Sequence, residues 1–291
     1  MARGRDYYGK YRLVRLIRAG ATCAVWETVK EDDGQRYALK ILKPEEKYNK
    51  TEIATLRHEF EVAHEFKHPN IIRVYEFNTE LDIPYVVMEL FNAVNLKILL
   101  RQGAERLFPI AKDVVDQAAE ALYYFHERGW IHRDVKPDNF LVSEAGVLKL
   151  IDFAIAVKPA TGINKLMQGW FGKVQGTRSY MSPEQIRNQP LDARADVYSF
   201  GCVLYELVTG KAPFTGDSGN DLLNRHLAAP VPSCQVLSPN VAPEFSDLIR
   251  RMMSKNRNDR PNNMWEFLKI FRPMRMFKVL PRAKPVEGND K

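Results

Sequence analysis

Apolar and polar residues take turns along the first third of the chain, and the period of that alternation changes twice. From Tyr11 to Ala19, Leu13, Ile17 and Ala19 are set against Arg12, Arg18 and Val14-Arg15, which predicts a strand with one covered face. Val25 to Lys30 and Arg36 to Leu42 read as two more strands, and Asp32-Asp33-Gly34 between them is a hairpin turn signal. From Thr51 to Phe66 the period lengthens: Ile53, Leu56, Phe60, Ala63 and Phe66 recur every three or four residues, the spacing of one helix face. Ile71 to Phe77 and Ile83 to Glu89 then read as strands again.

Beyond Val94 helices dominate. Pro109 to Glu127 predicts a long helix, opened by a proline in its first turn and ended near Gly129. Val197 to Val208 is strongly apolar and predicts a buried helix, while Glu244 to Met253 and Asn263 to Phe271 predict shorter amphipathic ones. After Phe271 the character changes. Arg272, Arg275, Lys278, Arg282 and Lys284 alternate with Pro273, Pro281 and Pro285, a composition that predicts a linker. As a functional segment, it would adjoin a membrane or another domain.

Composition narrows the classes. A chain of 291 residues, 45% hydrophobic and 27% charged, can bury a core as one large domain or two lobes. The net charge of +7 is spread along the chain without a clustered stripe, so no nucleic-acid partner is expected. Cys23, Cys202 and Cys234 have no metal-ligand spacing, and their odd number argues against a disulfide framework. No apolar run is long enough to cross a bilayer, and Met1 to Asp6 leads into no signal-peptide core. The expected location is cytoplasmic.

One stretch concentrates chemistry: Trp130-Ile131-His132-Arg133-Asp134-Val135-Lys136-Pro137-Asp138-Asn139, closed by the apolar strand Phe140-Leu141-Val142. A carboxylate, an ammonium and a carboxamide lie on one short loop. It resembles the catalytic loop of protein kinases, with Val135 in place of the usual Leu. Other motifs follow in family order. Tyr37-Ala38-Leu39-Lys40 is similar to the strand whose Lys holds the α- and β-phosphates, and Glu59 occupies the place of its carboxylate partner. Ile151-Asp152-Phe153-Ala154 resembles the Asp-Phe-Gly motif. Gly176 to Glu184 is similar to the end of an activation segment, with Ser182 where most members have Ala. Asp196 to Gly201 and Asn258-Asp259-Arg260-Pro261 complete the set.

The resemblance implies an α+β, bilobal protein-kinase fold: a small antiparallel β-sheet lobe with one helix over 11–89, a hinge at 89–92 and a larger helical lobe over 93–271, with 272–291 as linker. It implies that Asp134 deprotonates an acceptor hydroxyl and Lys136 offsets phosphate charge, with Lys40, Glu59 and Thr177 completing the catalytic positions. Asn139 and Asp152 would hold Mg²⁺, or Mn²⁺ in its place. ATP would be bound by Val25, Ala38 and Leu141 around adenine, by Ile17 and Gly20, by Met88 at the back pocket, and by Glu89 to Phe91. By the same resemblance, His132, Arg133, Phe153 and Ala154 would be structural or regulatory positions, Asp196 would brace the loop, and Arg260 would pair with Glu184. Lys136-Pro137-Asp138 with Gly176-Thr177 is similar to the serine/threonine branch. The implied function is ATP-dependent, signalling phosphorylation of Ser or Thr in proteins, autophosphorylation included. The alternative is a pseudokinase acting as a scaffold.

Three departures from the family pattern bear on that choice. Arg18-Ala19-Gly20-Ala21-Thr22-Cys23-Ala24-Val25 keeps only the middle glycine of the phosphate-covering loop. Ala154 replaces a glycine, a cost wherever positive φ is required. Between Ile155 and Gln175 the only hydroxyl is Thr161, and Lys173 stands at the usual acceptor position. Control by a single phosphothreonine paired with Arg133 is therefore not expected. Leu166 to Phe171 instead places apolar bulk in this segment, expected to pack on its own lobe, on an activating partner or on a second copy.

Overall fold

A computed structural model describes residues 7–79, 83–159 and 177–281. The chain divides into two units, Met1–Asn92 with Ile151–Ile155, and Ala93–Leu150 with Ala156–Lys291.

In the first unit, β1 (Tyr7–Tyr8), β2 (Tyr11–Ala19), β3 (Cys23–Lys30), β4 (Arg36–Leu42), α1 (Lys50–Ala63), β5 (Val74–Asn78) and β6 (Tyr85–Glu89) follow in order. The strands form one antiparallel sheet in the order β1-β2-β3-β4-β6-β5. Leu39 and Ile41 of β4 join Tyr11, Tyr85 and Val87 in a buried cluster. Successive strand residues point to opposite faces, so Ala38 and Lys40 face the other way. The alternation expected for β2 does not produce a covered face. Register shifts between Leu13 and Arg15 and between Leu16 and Arg18 break the two-residue period. Only Tyr11 of that strand is buried.

Helix α1 is capped by Asn49, whose side chain accepts from Thr51 and Glu52 amides. It stops at Ala63, short of the expected Phe66, which is buried beyond it. Its buried face holds Leu56, Glu59, Val62 and Ala63.

The second unit is mainly helical. Its small sheet joins β7 (Val94–Asn95), β8 (Phe140–Val142) and β9 (Leu148–Leu150). Its α-helices are α2 (Leu96–Arg101), α3 (Ala111–Glu127), α4 (Pro183–Ile186), α5 (Arg194–Thr209), α6 (Gly219–Ala228), α7 (Cys234–Leu237), α8 (Pro243–Met252) and α9 (Met264–Phe271). Pro109 lies in a 3₁₀ turn, Phe108–Ile110, so α3 begins two residues later than the proline signal predicts. Helix α5 is the centre of this unit: every residue from Ala195 to Val208 is buried. Gly201 permits close packing against α8, because a Cβ there would lie 2.9 Å from Met253 Cγ and 3.0 Å from Met252 Cβ.

The linker expected after Phe271 does not begin there. Met276 and Phe277 are buried, and the Phe277 ring packs against Phe108, tilted by 36° with centroids 4.6 Å apart. Ala242 donates to the Met276 carbonyl at 2.9 Å and Lys278 to that of Asn240 at 2.8 Å. Arg272 bridges Asp116 and Glu120 of α3. The charge and proline content masked two apolar anchors, Met276 and Phe277. Among the described residues, no helix is long and apolar enough to cross a membrane.

Candidate active site

In the first unit, the outward turn of Lys40 from the sheet core brings its Nζ 2.5 Å from Glu59 Oε2 on α1. The Asp152 carboxylate lies 3.9 Å away. Burial alone would lower the Lys40 pKa, but Glu59 and then Asp152 outweigh it and hold the ammonium charged. For Glu59 burial dominates and raises the pKa, with Lys40 opposing. The two predicted residues thus meet as a buried, hydrogen-bonded pair.

Register places Val25 opposite Lys40 and Met88 opposite Ala38, so these four share one sheet face. Glu89 lies opposite Tyr37, and half-buried Phe91 follows two residues later. Ile17 sits at the β2 bulge, 43% exposed, and Arg18 rather than Ile17 opposes Val25. Gly20 donates to the Cys23 carbonyl at 2.8 Å, and a Cβ there would lie 3.0 Å from that same oxygen. The retained glycine therefore serves its own tight loop. Burial raises the Cys23 pKa, Lys40 opposing, so that thiol is not activated.

Phe153 is buried edge-on against Phe66 at 6.1 Å, within the same unit. Asp152 takes φ 68, a left-handed conformation that Asp tolerates better than most residues. Ala154 is not among the positive-φ residues. The backbone penalty expected of its methyl group does not arise in this conformation.

The second unit holds the loop from Trp130 to Asn139. Asp134 is the hub: Lys136 Nζ donates to its Oδ2 at 2.5 Å, and Thr177 donates to its Oδ1 from the amide at 3.1 Å and from the hydroxyl at 3.2 Å. Lys136 also donates to Thr177 Oγ1 at 2.8 Å. Asn139 spends its Nδ2 on the Asp134 carbonyl at 2.9 Å and on Oδ2 at 3.2 Å. Leu141, half-buried in β8, pairs with Lys149 and Asn95.

This loop is braced from α5. Asp196 accepts from the His132 amide at 2.8 Å, the Arg133 amide at 2.9 Å and His126 Nε2 at 2.8 Å. Burial works to raise the Asp196 pKa, but hydrogen bonding and charge from His126, then His132, bring it below the ordinary value. His126, in the last turn of α3, had no motif to announce it. Glu184 and Arg260 form a buried bidentate pair at 2.7 and 3.0 Å. The remaining Arg260 donors go to the carbonyls of Ser254, Arg194 and Lys255, so all five N–H groups are used. The expected control residues Thr161, Leu166 to Phe171 and Lys173 lie outside the described residues.

Asn139 also tests whether a metal ion suits this loop. It is fully buried, and its Oδ1 has no hydrogen-bond partner among the described residues. A desolvated carbonyl-type oxygen without a donor is a hard ligand, as is the partly exposed Asp152 carboxylate. Each, within its own unit, is a donor of the kind that suits a hard divalent cation.

A family model described as "Protein kinase domain" matches residues 11–270. The serine/threonine-protein kinase PknA of Mycobacterium tuberculosis is 36% identical over 253 residues, covering 85% of this chain and 57% of that protein. The probable serine/threonine-protein kinase PknB of Bifidobacterium longum is 33% identical over 272 residues, covering 89% of this chain and 39% of its own. For the serine/threonine-protein kinase PrkC of Bacillus subtilis the identity is 30% over 253 residues, with coverage of 87% and 38%. The chain therefore spans about a third to a little over half the length of these relatives.

Proposed function

The chain belongs to the protein kinase family, and from that premise we propose that it transfers the γ-phosphate of ATP to a serine or threonine hydroxyl of a protein. The supporting observation is the convergence of Lys136, Asn139 and Thr177 on the Asp134 carboxylate. Asp134 accepts the proton of the acceptor hydroxyl as the oxygen attacks phosphorus. Its geometry is fixed beforehand by Thr177 and by the loop braced on Asp196, so little reorganisation is needed during transfer. Lys136, already beside that carboxylate, supplies positive charge for the transferring group. Lys40, held by Glu59, supplies charge for the remaining phosphates.

Asn139 and Asp152 would hold Mg²⁺, which when bound offsets phosphate charge; Mn²⁺ would serve the same donors. The Lys136–Thr177 contact and the relatives' names favour serine and threonine as acceptors. Lys40, Glu59, Asp134, Asn139 and Asp152 are all retained, and a scaffold would need none of these contacts. Incubation with Mg²⁺, ATP and matched peptides bearing Ser, Thr or Tyr tests the reading. Phosphate on Ser or Thr alone supports it; phosphate on Tyr alone, or on none despite ATP binding, contradicts it.

A further inference from the structure

We propose that Gln185 is a positioning residue for phosphotransfer: it clamps the Arg133 carbonyl and thereby fixes the peptide that carries Asp134. The inference rests on the reading of Asp134 as proton acceptor. Gln185 is in α4 and is 6% exposed. Its Oε1 accepts from the Ser182 amide and the Ser182 hydroxyl, each at 3.1 Å. A backbone N–H can only donate, so the carboxamide oxygen must face Ser182. The NH₂ group is thereby turned away, and it donates to the Arg133 carbonyl at 2.8 Å.

The residue so held is unusual. Arg133 takes φ 68, a left-handed conformation rare for a side chain of its kind. Such a conformation persists only when its surroundings over-determine it. Asp196 holds its N–H at 2.9 Å, and Gln185 holds its C=O. With both polar groups fixed, the direction in which the chain enters Asp134 is fixed as well. The brace from Asp196 belongs to a motif legible in the sequence. The second brace adjoins Glu184, whose own side chain is turned to Arg260.

Ser182 acquires a purpose from this arrangement. Its hydroxyl donates to Gln185 Oε1 and accepts from the Gln185 amide at 3.4 Å, two contacts that the family's more usual Ala cannot make. The same segment carries Thr177, which bonds directly to the Asp134 carboxylate. One stretch of chain therefore holds Asp134 both through its side chain and through the preceding peptide.

The test is a comparison of purified wild type, Gln185→Met, Gln185→Glu, Ser182→Ala and Ser246→Ala in steady-state transfer to a generic serine peptide. Met keeps the length of Gln without its polar groups, and Glu cannot donate to the Arg133 carbonyl when ionised. Ser246→Ala removes the acceptor of the Cys234 amide, at 3.2 Å, and serves as a control for lost buried hydrogen bonding away from the loop. Gln185→Met and Gln185→Glu should each lower kcat on the order of 10-fold or more, with KM for ATP within about twofold. Ser182→Ala should lose less than about threefold, and Ser246→Ala should keep the wild-type kcat. A wild-type kcat in Gln185→Met overturns the inference. A wild type that transfers nothing would instead contradict the proposed function. Hydrogen exchange of the amides from His132 to Lys136 then decides the positioning separately. Faster exchange in Gln185→Met than in both wild type and Ser246→Ala supports it, and identical exchange overturns it.

Discussion

Lys40 Nζ and Glu59 Oε2 meet at 2.5 Å, joining the fourth strand of the first unit to its helix. Both side chains are largely shielded from water, so removing one leaves the other as an uncompensated charge. Lys40→Met should lower kcat/KM on the order of 100-fold and cost about 3 kcal/mol in stability. The double variant Lys40→Met/Glu59→Leu should recover most of the stability and none of the activity. Urea unfolding beside a transfer assay separates the two effects. Recovery of both would show that the lysine serves the fold alone.

Acid should destabilise the second unit first through His226. That residue is buried against Tyr198 and Phe214, with ring centroids at 5.9 and 4.9 Å. Burial, then the charge of Lys255, lowers its pKa to about 4. Unfolded histidine titrates near 6.5. Between about pH 6.5 and 4 the unfolded chain therefore takes up a proton that the folded chain refuses, and stability falls as pH falls. The loss should be on the order of 2–3 kcal/mol by pH 4. Asp196 has the opposite history: its lowered pKa contributes stability above the ordinary carboxylate range and surrenders it only below about pH 4. Denaturant midpoints of wild type and His226→Gln across this range should diverge, with a flatter profile in the variant. Parallel profiles would contradict the assignment.

The residues after Phe271 should matter to folding. A chain ended at Phe271 loses Phe277 from Phe108 and Arg272 from Asp116 and Glu120, whereas one ended at Pro281 keeps both. Burial of Met276 and Phe277 alone should make the shorter chain less stable by about 3 kcal/mol or more. Equal urea midpoints for the two chains would restore the linker reading.

Legibility in the sequence followed periodicity and motif. The strand Arg36–Leu42 and the apolar helix around Val197 to Val208 were clear because burial sets their residue pattern. Helix α6 was not, since His226 is its only buried residue and nothing periodic marks its inner face. Strand β2 misled for the opposite reason: its alternation is present, but two register shifts dissolve it. At the site, Asp134, Lys136 and Asn139 were marked by the resemblance of their loop to the protein-kinase motif, and hydrogen bonds join them. His126 and Gln185 did not, because their partners, Asp196 and the Arg133 carbonyl, lie far off in sequence. Such contacts are made by packing, and no local pattern encodes them.

The account turns on Asp134 as the group that receives the acceptor's proton. The most direct test is the intact mass of wild type and Asp134→Asn before and after incubation with Mg²⁺ and ATP, with a serine peptide present. Asparagine keeps the shape of aspartate but removes the basic carboxylate. Added phosphate on wild-type chain or peptide, with a loss on the order of 100-fold or more in the variant, is the expected result. Transfer by Asp134→Asn at the wild-type rate would contradict the account.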